Sequence, residues 1–238
     1  MSFDRFQYEL QILGKKVVLA PIVLVLCLSL FAVILHVVDT EIDRFFTAVL
    51  EIIIPLMTGM LIATITTQDP VVELHLTMPL SYAATVLYRL LITLLWSGLI
   101  TLMFSCTLFL VHFWFVPRQI SAWSQPSQLL VGQLIWLPTL LWFSVVGFGA
   151  AQLTHSRSAS ASLLSAIWIL SMFVFALPLN FPDWMKMSLY LFPSTLTPQI
   201  GYWLTNRVVV LIIALLLFPF SWLLLRGTEG VLKSASEE

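Results

Sequence analysis

Residues 45–66 read FFTAVLEIIIPLMTGMLIATIT, 22 residues with one ionisable side chain, Glu51. A helix needs about 20 apolar residues to cross a hydrocarbon core of about 30 Å. A helix at the surface of a soluble domain would alternate apolar and polar faces, and this stretch does not. Five further stretches share its character: 17–38, 90–113, 129–152, 159–179 and 208–225. Across all six the formal charges number one. The remainder of the chain agrees, with 60% of the 238 residues hydrophobic, 10% charged, and a mean hydropathy of +1.00. Ordinary soluble domains carry about 25% charged residues, and disordered chains carry more. The expected fold is therefore an all-α membrane protein of six transmembrane helices, forming one domain over residues 1–238.

Composition also excludes partners. A net charge of −1 leaves no basic stripe for nucleic acid. Cys27 and Cys106 both fall within apolar runs and read as small buried hydrophobes, not as a disulfide or a metal pair. His36, His75, His112 and His155 are scattered, with no H-E-x-x-H pair, no G-x-S-x-G turn and no G-x-x-x-x-G-K-[ST] loop. No catalytic set and no metal set is expected, and no nucleotide-binding site on this chain.

The ends and connections carry the remaining information. Phe3, Phe6, Leu10 and Leu13 recur at spacings of three and four, while Asp4, Arg5, Gln7 and Glu9 take other directions. Residues 1–16 are thus expected to form an amphipathic helix in the membrane interface. The first span exceeds a signal-peptide core and is expected to stay as a membrane helix. Arg5, Lys15, Lys16, Arg89, Arg157, Arg226 and Lys233 fall on one side of the six spans; Arg44, Arg118, Lys186 and Arg207 fall on the other. The excess of positive charge places both termini in the cytoplasm, giving a multi-pass protein of a cytoplasmic membrane. Residues 180–207 form the longest outer connection. Trp184, Met187, Leu191 and Phe192 are expected on one side of a short helix broken by Pro193 and Pro198, serving as interface anchors or as a cap over an exit path.

Gly59/Ala63 and Gly147/Ala151 allow close helix approach, within the subunit or at a dimer seam. Glu51 and Arg207 are the candidates for a substrate path, since an acid within a span is costly and needs a partner or a polar route. On the cytoplasmic side, Gln68–Arg89 reads QDPVVELHLTMPLSYAATVLYR. Pro70 suits the first turn of a helix, Pro79 ends it, and Ser81 can cap the next. Residues 70–81 are expected to be a short helix beneath the membrane.

The segment from Glu73 to Ser81, with Arg89 ten residues after Pro79, resembles the coupling segment of exporter-type ABC transporter permeases. The resemblance implies that Glu73, Leu74 and Leu76 contact a cytoplasmic ATP-binding subunit, that Pro70 and Pro79 bound the contact helix, and that Arg89 anchors the third span. It implies ATP and Mg on the partner ATPase, a second permease copy or related permease in the bilayer, and an amphipathic or hydrophobic cargo such as lipid, peptide or drug. It also implies a bacterial inner membrane. The alternative from a different class is a membrane-embedded structural or assembly subunit without transport activity.

Overall fold

The computed structural model describes residues 18–32, 34, 42–67, 82–176, 182–197 and 200–236; residues 82–83, 174–176, 183, 186 and 226–236 are described by backbone alone. The interfacial segment 1–16 and the segment 70–81, with Pro70, Glu73, Leu74, Leu76 and Pro79, lie outside the described residues. Among the described residues every regular element is a helix. In chain order these are α1 (Val18–Ala32), α2 (Ile42–Thr67), α3 (Tyr82–Leu110), α4 (Gln125–Thr154), α5 (Arg157–Ala176), α6 (Asp183–Leu189), α7 (Pro193–Leu196) and α8 (Trp203–Ser236). Four of them, α2, α3, α4 and α8, are long and apolar enough to cross a membrane. The apolar helices α1 and α5 occupy the first and fifth of the six expected spans.

Helix is the form that satisfies every backbone group within its own segment where no water is present. Several hydroxyls inside the apolar helices are satisfied in the same way, by bonding back one turn, although Ser97 Oγ on α3 is buried without a partner. Thr58 donates to the Ile54 carbonyl at 2.9 Å, Thr101 to Ser97 at 2.7 Å and Ser144 to Leu140 at 2.6 Å. Two helices depart from α geometry, each just before a proline. In α2 the turn Val49–Ile53 is a π-helix, in which the Ile54 N–H donates to the Val49 carbonyl. Pro55 follows, and in a regular helix its ring would strike the Glu51 carbonyl four residues back; the wider turn relieves that clash. In α4 the turn Gln133–Ile135 is a 3-10 helix, and Pro138 follows in the same manner.

The centre of the bundle is α4, which packs against α2, α5 and α8. Glycine decides how closely α2 and α4 meet. A Cβ on Gly59 would stand 2.6 Å from the Phe143 carbonyl oxygen, and one on Gly147 would stand 2.5 Å from that of Gly59. Backbone therefore touches backbone across this seam, and the small residues are used within the chain. Outward faces are apolar and exposed, as at Leu26, Leu95, Phe173 and Leu216, which suits a chain whose solvent is hydrocarbon.

Several expected boundaries move. The third span starts at Tyr82 and not at Leu90, because the polar turn before Leu90 is already helical. The last helix starts at Trp203 and continues past Leu225 to Ser236. The connection before the last helix differs in kind. Trp184 is exposed while Leu191 and Phe192 are buried, so these side chains do not share one face of a helix. The reason is local: α6 ends at Tyr190, whose ψ of 98° is extended, and this turns Leu191 and Phe192 into the bundle. Pro193 then opens α7 where a break was expected, since its missing N–H costs nothing at a first helical position.

Candidate functional site

The two charges in the N-terminal halves of α2 and α8 meet in the core. Glu51 lies on the π turn of α2 and Arg207 near the start of α8, and both are 0% exposed. Arg207 Nη2 forms an ion pair with Glu51 Oε1. The carboxylate has three further donors, all from α7. The Ser194 N–H donates to Oε1 at 3.0 Å, the Thr195 N–H to Oε2 at 2.7 Å, and the Thr195 hydroxyl to Oε2 at 2.6 Å. These amides belong to the first turn of a helix, where they have no acceptor within the helix. Glu51 supplies that acceptor from across the bundle.

Arg207 holds the same segment from the other side. Its Nη1 donates to the Leu191 carbonyl at 3.0 Å and its Nη2 to Ser194 Oγ at 3.3 Å. Trp203 Nε1 donates to Ser194 Oγ at 2.8 Å, and Asn206 Nδ2 donates at 3.0 Å to the carbonyls of Met187 and Tyr190. Trp203, Asn206 and Arg207 stand three and four residues apart, so one face of α8 carries all these donors. Nε of Arg207 is buried without a hydrogen-bond partner. A second contact seals the start of α8. Gln119, in the connection from α3 to α4, donates through Nε2 to the Gly201 carbonyl and accepts through Oε1 from the Leu204 N–H at 2.8 Å.

Taking two charges out of water is expensive, and the attraction offsets that cost only when the remaining lone pairs and protons are also bonded. Three donors from α7 meet that condition for Glu51. Outside the spans, burial pushes the Tyr190 hydroxyl up to about 12, partly opposed by the Thr197 hydroxyl that donates to it at 2.9 Å. It remains a neutral phenol at physiological pH.

Of the sequence-derived candidates, the structure brings Glu51 and Arg207 together. Arg89 stands apart from them, buried on α3 beside the C-terminal end of α2, where it lines a cavity of about 10 Å³ with Ile62, Ile65, Thr66, Val86 and Leu90. That space holds about one water. Ser194, Thr195, Asn206 and Gln119 were not singled out from sequence, and Trp203, an aromatic of the kind expected to anchor at the interface, is buried. The pattern Trp203-x-x-Asn206-Arg207 at the head of an apolar helix is the signal that marks the α8 donors. Among the described residues no cluster of three or more histidine, cysteine or acidic side chains could hold a metal ion. No protein-family model, curated protein or solved structure matches the chain.

Proposed function

We propose that this chain is the membrane permease subunit of an ATP-driven exporter of the ABC type. The observation that carries the reading is the segment Glu73–Ser81 with Arg89 ten residues beyond Pro79. Arg89 is buried against the inner end of α2, a place suited to passing a displacement of the 70–81 segment into both α2 and α3. On this reading α1 and α5 complete six crossings, residues 1–16 lie in the interface, and both ends face the cytoplasm of a bacterial cell. Residues 180–207, with α6 and α7, face outward. Two cytoplasmic ATPase subunits bind ATP and Mg, and a second permease copy or a related permease completes the transporter. The polar set of Glu51, Arg207, Ser194 and Thr195 then closes the outer end of the subunit, and the cargo is amphipathic or hydrophobic.

The test is direct. An ATP-binding protein should copurify with the full chain and crosslink to residues 70–81. Glu73→Lys and Leu76→Asp should each uncouple ATP hydrolysis from transport while the chain still inserts. Full coupling in both variants, with no crosslink from this segment to an ATPase, overturns the reading.

A further inference from the structure

The segment Tyr190–Ser194 is buried like a plug in the bundle, and its bonds divide unequally. Those that join it to α8, from Trp203, Asn206 and Arg207, span nine to 16 residues of sequence. The bonds from Glu51 to Ser194 and Thr195 span 143 and 144. The plug and the head of α8 are therefore one local unit, and Glu51 is the polar tie that fastens this unit to α2. The plug also fills apolar space: Phe192 is fully buried and stacks on Phe143 of α4, ring centroids 6.2 Å apart and planes 11° apart, while Leu191 packs in the same cluster as Ile52, Leu164 and Val210.

Withdrawing the unit from α2 would uncover an aromatic and aliphatic cleft with a carboxylate at its edge. The two charges would not fare alike. Arg207 is four residues from the start of α8, about 6 Å along the helix, and its long side chain reaches water easily. Glu51 is nine residues from Ile42, about 14 Å along α2, on a shorter side chain. Once Arg207 leaves, Glu51 is a buried acid without a counter-charge, and the open state is disfavoured unless another cation takes the vacated place.

We propose that Glu51 and the cleft behind the plug form a cargo site for an amphipathic cation, an apolar body bearing an ammonium, guanidinium or similar head, and that Arg207 with Phe192 occupies this site in cis. The cation's head replaces the guanidinium, its body replaces Leu191 and Phe192, and its binding stabilises the withdrawn plug. This rests on the reading of the chain as a permease, and it adds the chemical class of the cargo and the residue that selects it.

The experiment uses the full chain in proteoliposomes, with Cys27 and Cys106 replaced by alanine and the buried Leu191→Cys as reporter. A membrane-impermeant maleimide is applied with tetraphenylphosphonium, or with tetraphenylborate, which has the same shape and the opposite charge. The phosphonium should raise the labelling rate about tenfold and saturably, whereas the borate should not. Equilibrium dialysis of the phosphonium should show the same contrast in the chain without the cysteine. Glu51→Gln should abolish the cation response. Arg207→Gln, which removes the cis competitor and leaves the acid, should tighten phosphonium binding about tenfold; if neither variant inserts, the contrast between phosphonium and borate in the chain with both charges decides the matter. Equal responses to both ions, a response retained in Glu51→Gln, or unchanged affinity in Arg207→Gln overturns the proposal. No ATPase is present in this assay. Failure here leaves the permease reading standing, and failure of the ATPase crosslink leaves the cation site standing.

Discussion

Gly147 faces Gly59 so closely that a methyl group on the former would lie 2.5 Å from the carbonyl oxygen of the latter. The atom in the way is backbone, which no rotamer change can move. Gly147→Ala and Gly59→Ala should therefore each destabilise the bundle by at least the 1–3 kcal/mol typical of overpacked cores, about the upper end of that range. Gly98 on α3 is the control, since its nearest neighbour, Leu140 Cδ2, is at an ordinary 3.8 Å. Gly98→Ala should be neutral or stabilising by up to about 1 kcal/mol, the helix-propensity gain. Thermal unfolding in detergent, followed by circular dichroism, checks both. Wild-type stability in Gly147→Ala would mean that α2 and α4 do not meet at this seam.

Tyr190 gives a pH dependence outside the spans. Its hydroxyl is raised from 10.0 to about 12, chiefly by burial, with Tyr202 adding to the rise and the bond from Thr197 opposing it. The folded state therefore holds this proton more tightly than the unfolded state does. The stabilisation is complete below about pH 10 and is lost as pH climbs toward 12. In an alkaline absorbance titration, Tyr190→Phe should delete a component that ionises near pH 12. It should also flatten the fall in stability between pH 10 and 12. A late component that survives the substitution would assign it to another residue.

How far the fold could be read in advance follows from which signals are local. Apolar length is local, so α2, α3, α4 and α8 stand where runs of hydrophobic residues predict helices. Small residues at helical spacing foretold a close approach at Gly59 and Gly147 but could not name the partner, because partner choice is a tertiary property. Glu51 was conspicuous as the single acid in a span, and Arg207 as the base nearest the last one. Their mutual bonding depends on the π turn before Pro55 and on the extended residue at Tyr190. Neither follows from periodicity. Leu191 and Phe192 were misplaced on one helical face with Trp184 because the helix stops between them, and no proline or glycine marks that stop. Gln119 escaped notice since a lone glutamine in a polar connection has no pattern at all.

The clasp formed by Gln119 joins the α3–α4 connection to the head of α8 through a donor and an acceptor on one amide. Each such bond contributes about 0.5–1.5 kcal/mol net, so Gln119→Ala should cost about 1–3 kcal/mol in total. Gln119→Glu keeps an acceptor for the Leu204 N–H and loses the donor to Gly201, so its cost should be the smaller unless like-with-like oxygens are forced together at Gly201. Denaturant unfolding of the two variants gives the comparison. Unaltered stability in Gln119→Ala would show that this connection is not fastened to α8.

The ion pair between Glu51 and Arg207 makes the most demanding prediction, because each residue has a second duty. Removing one partner leaves the other charged and buried, which costs about 3–5 kcal/mol. Glu51→Leu also strands the N–H groups of Ser194 and Thr195, and Arg207→Leu strands the Leu191 carbonyl. Both single variants should be severely destabilised, Glu51→Leu the more so by the count of bonds lost. In the double variant no unpaired charge remains, so the two losses should fall short of additive by about 0.5–3 kcal/mol, the range for residues in direct contact. Recovery should be incomplete, because the stranded amides of α7 are still without an acceptor. Unfolding by denaturant of the wild type, both single variants and the double variant measures the cycle. Additivity within about 0.5 kcal/mol, the figure for independent sites, would show that the two charges do not compensate one another in the folded chain.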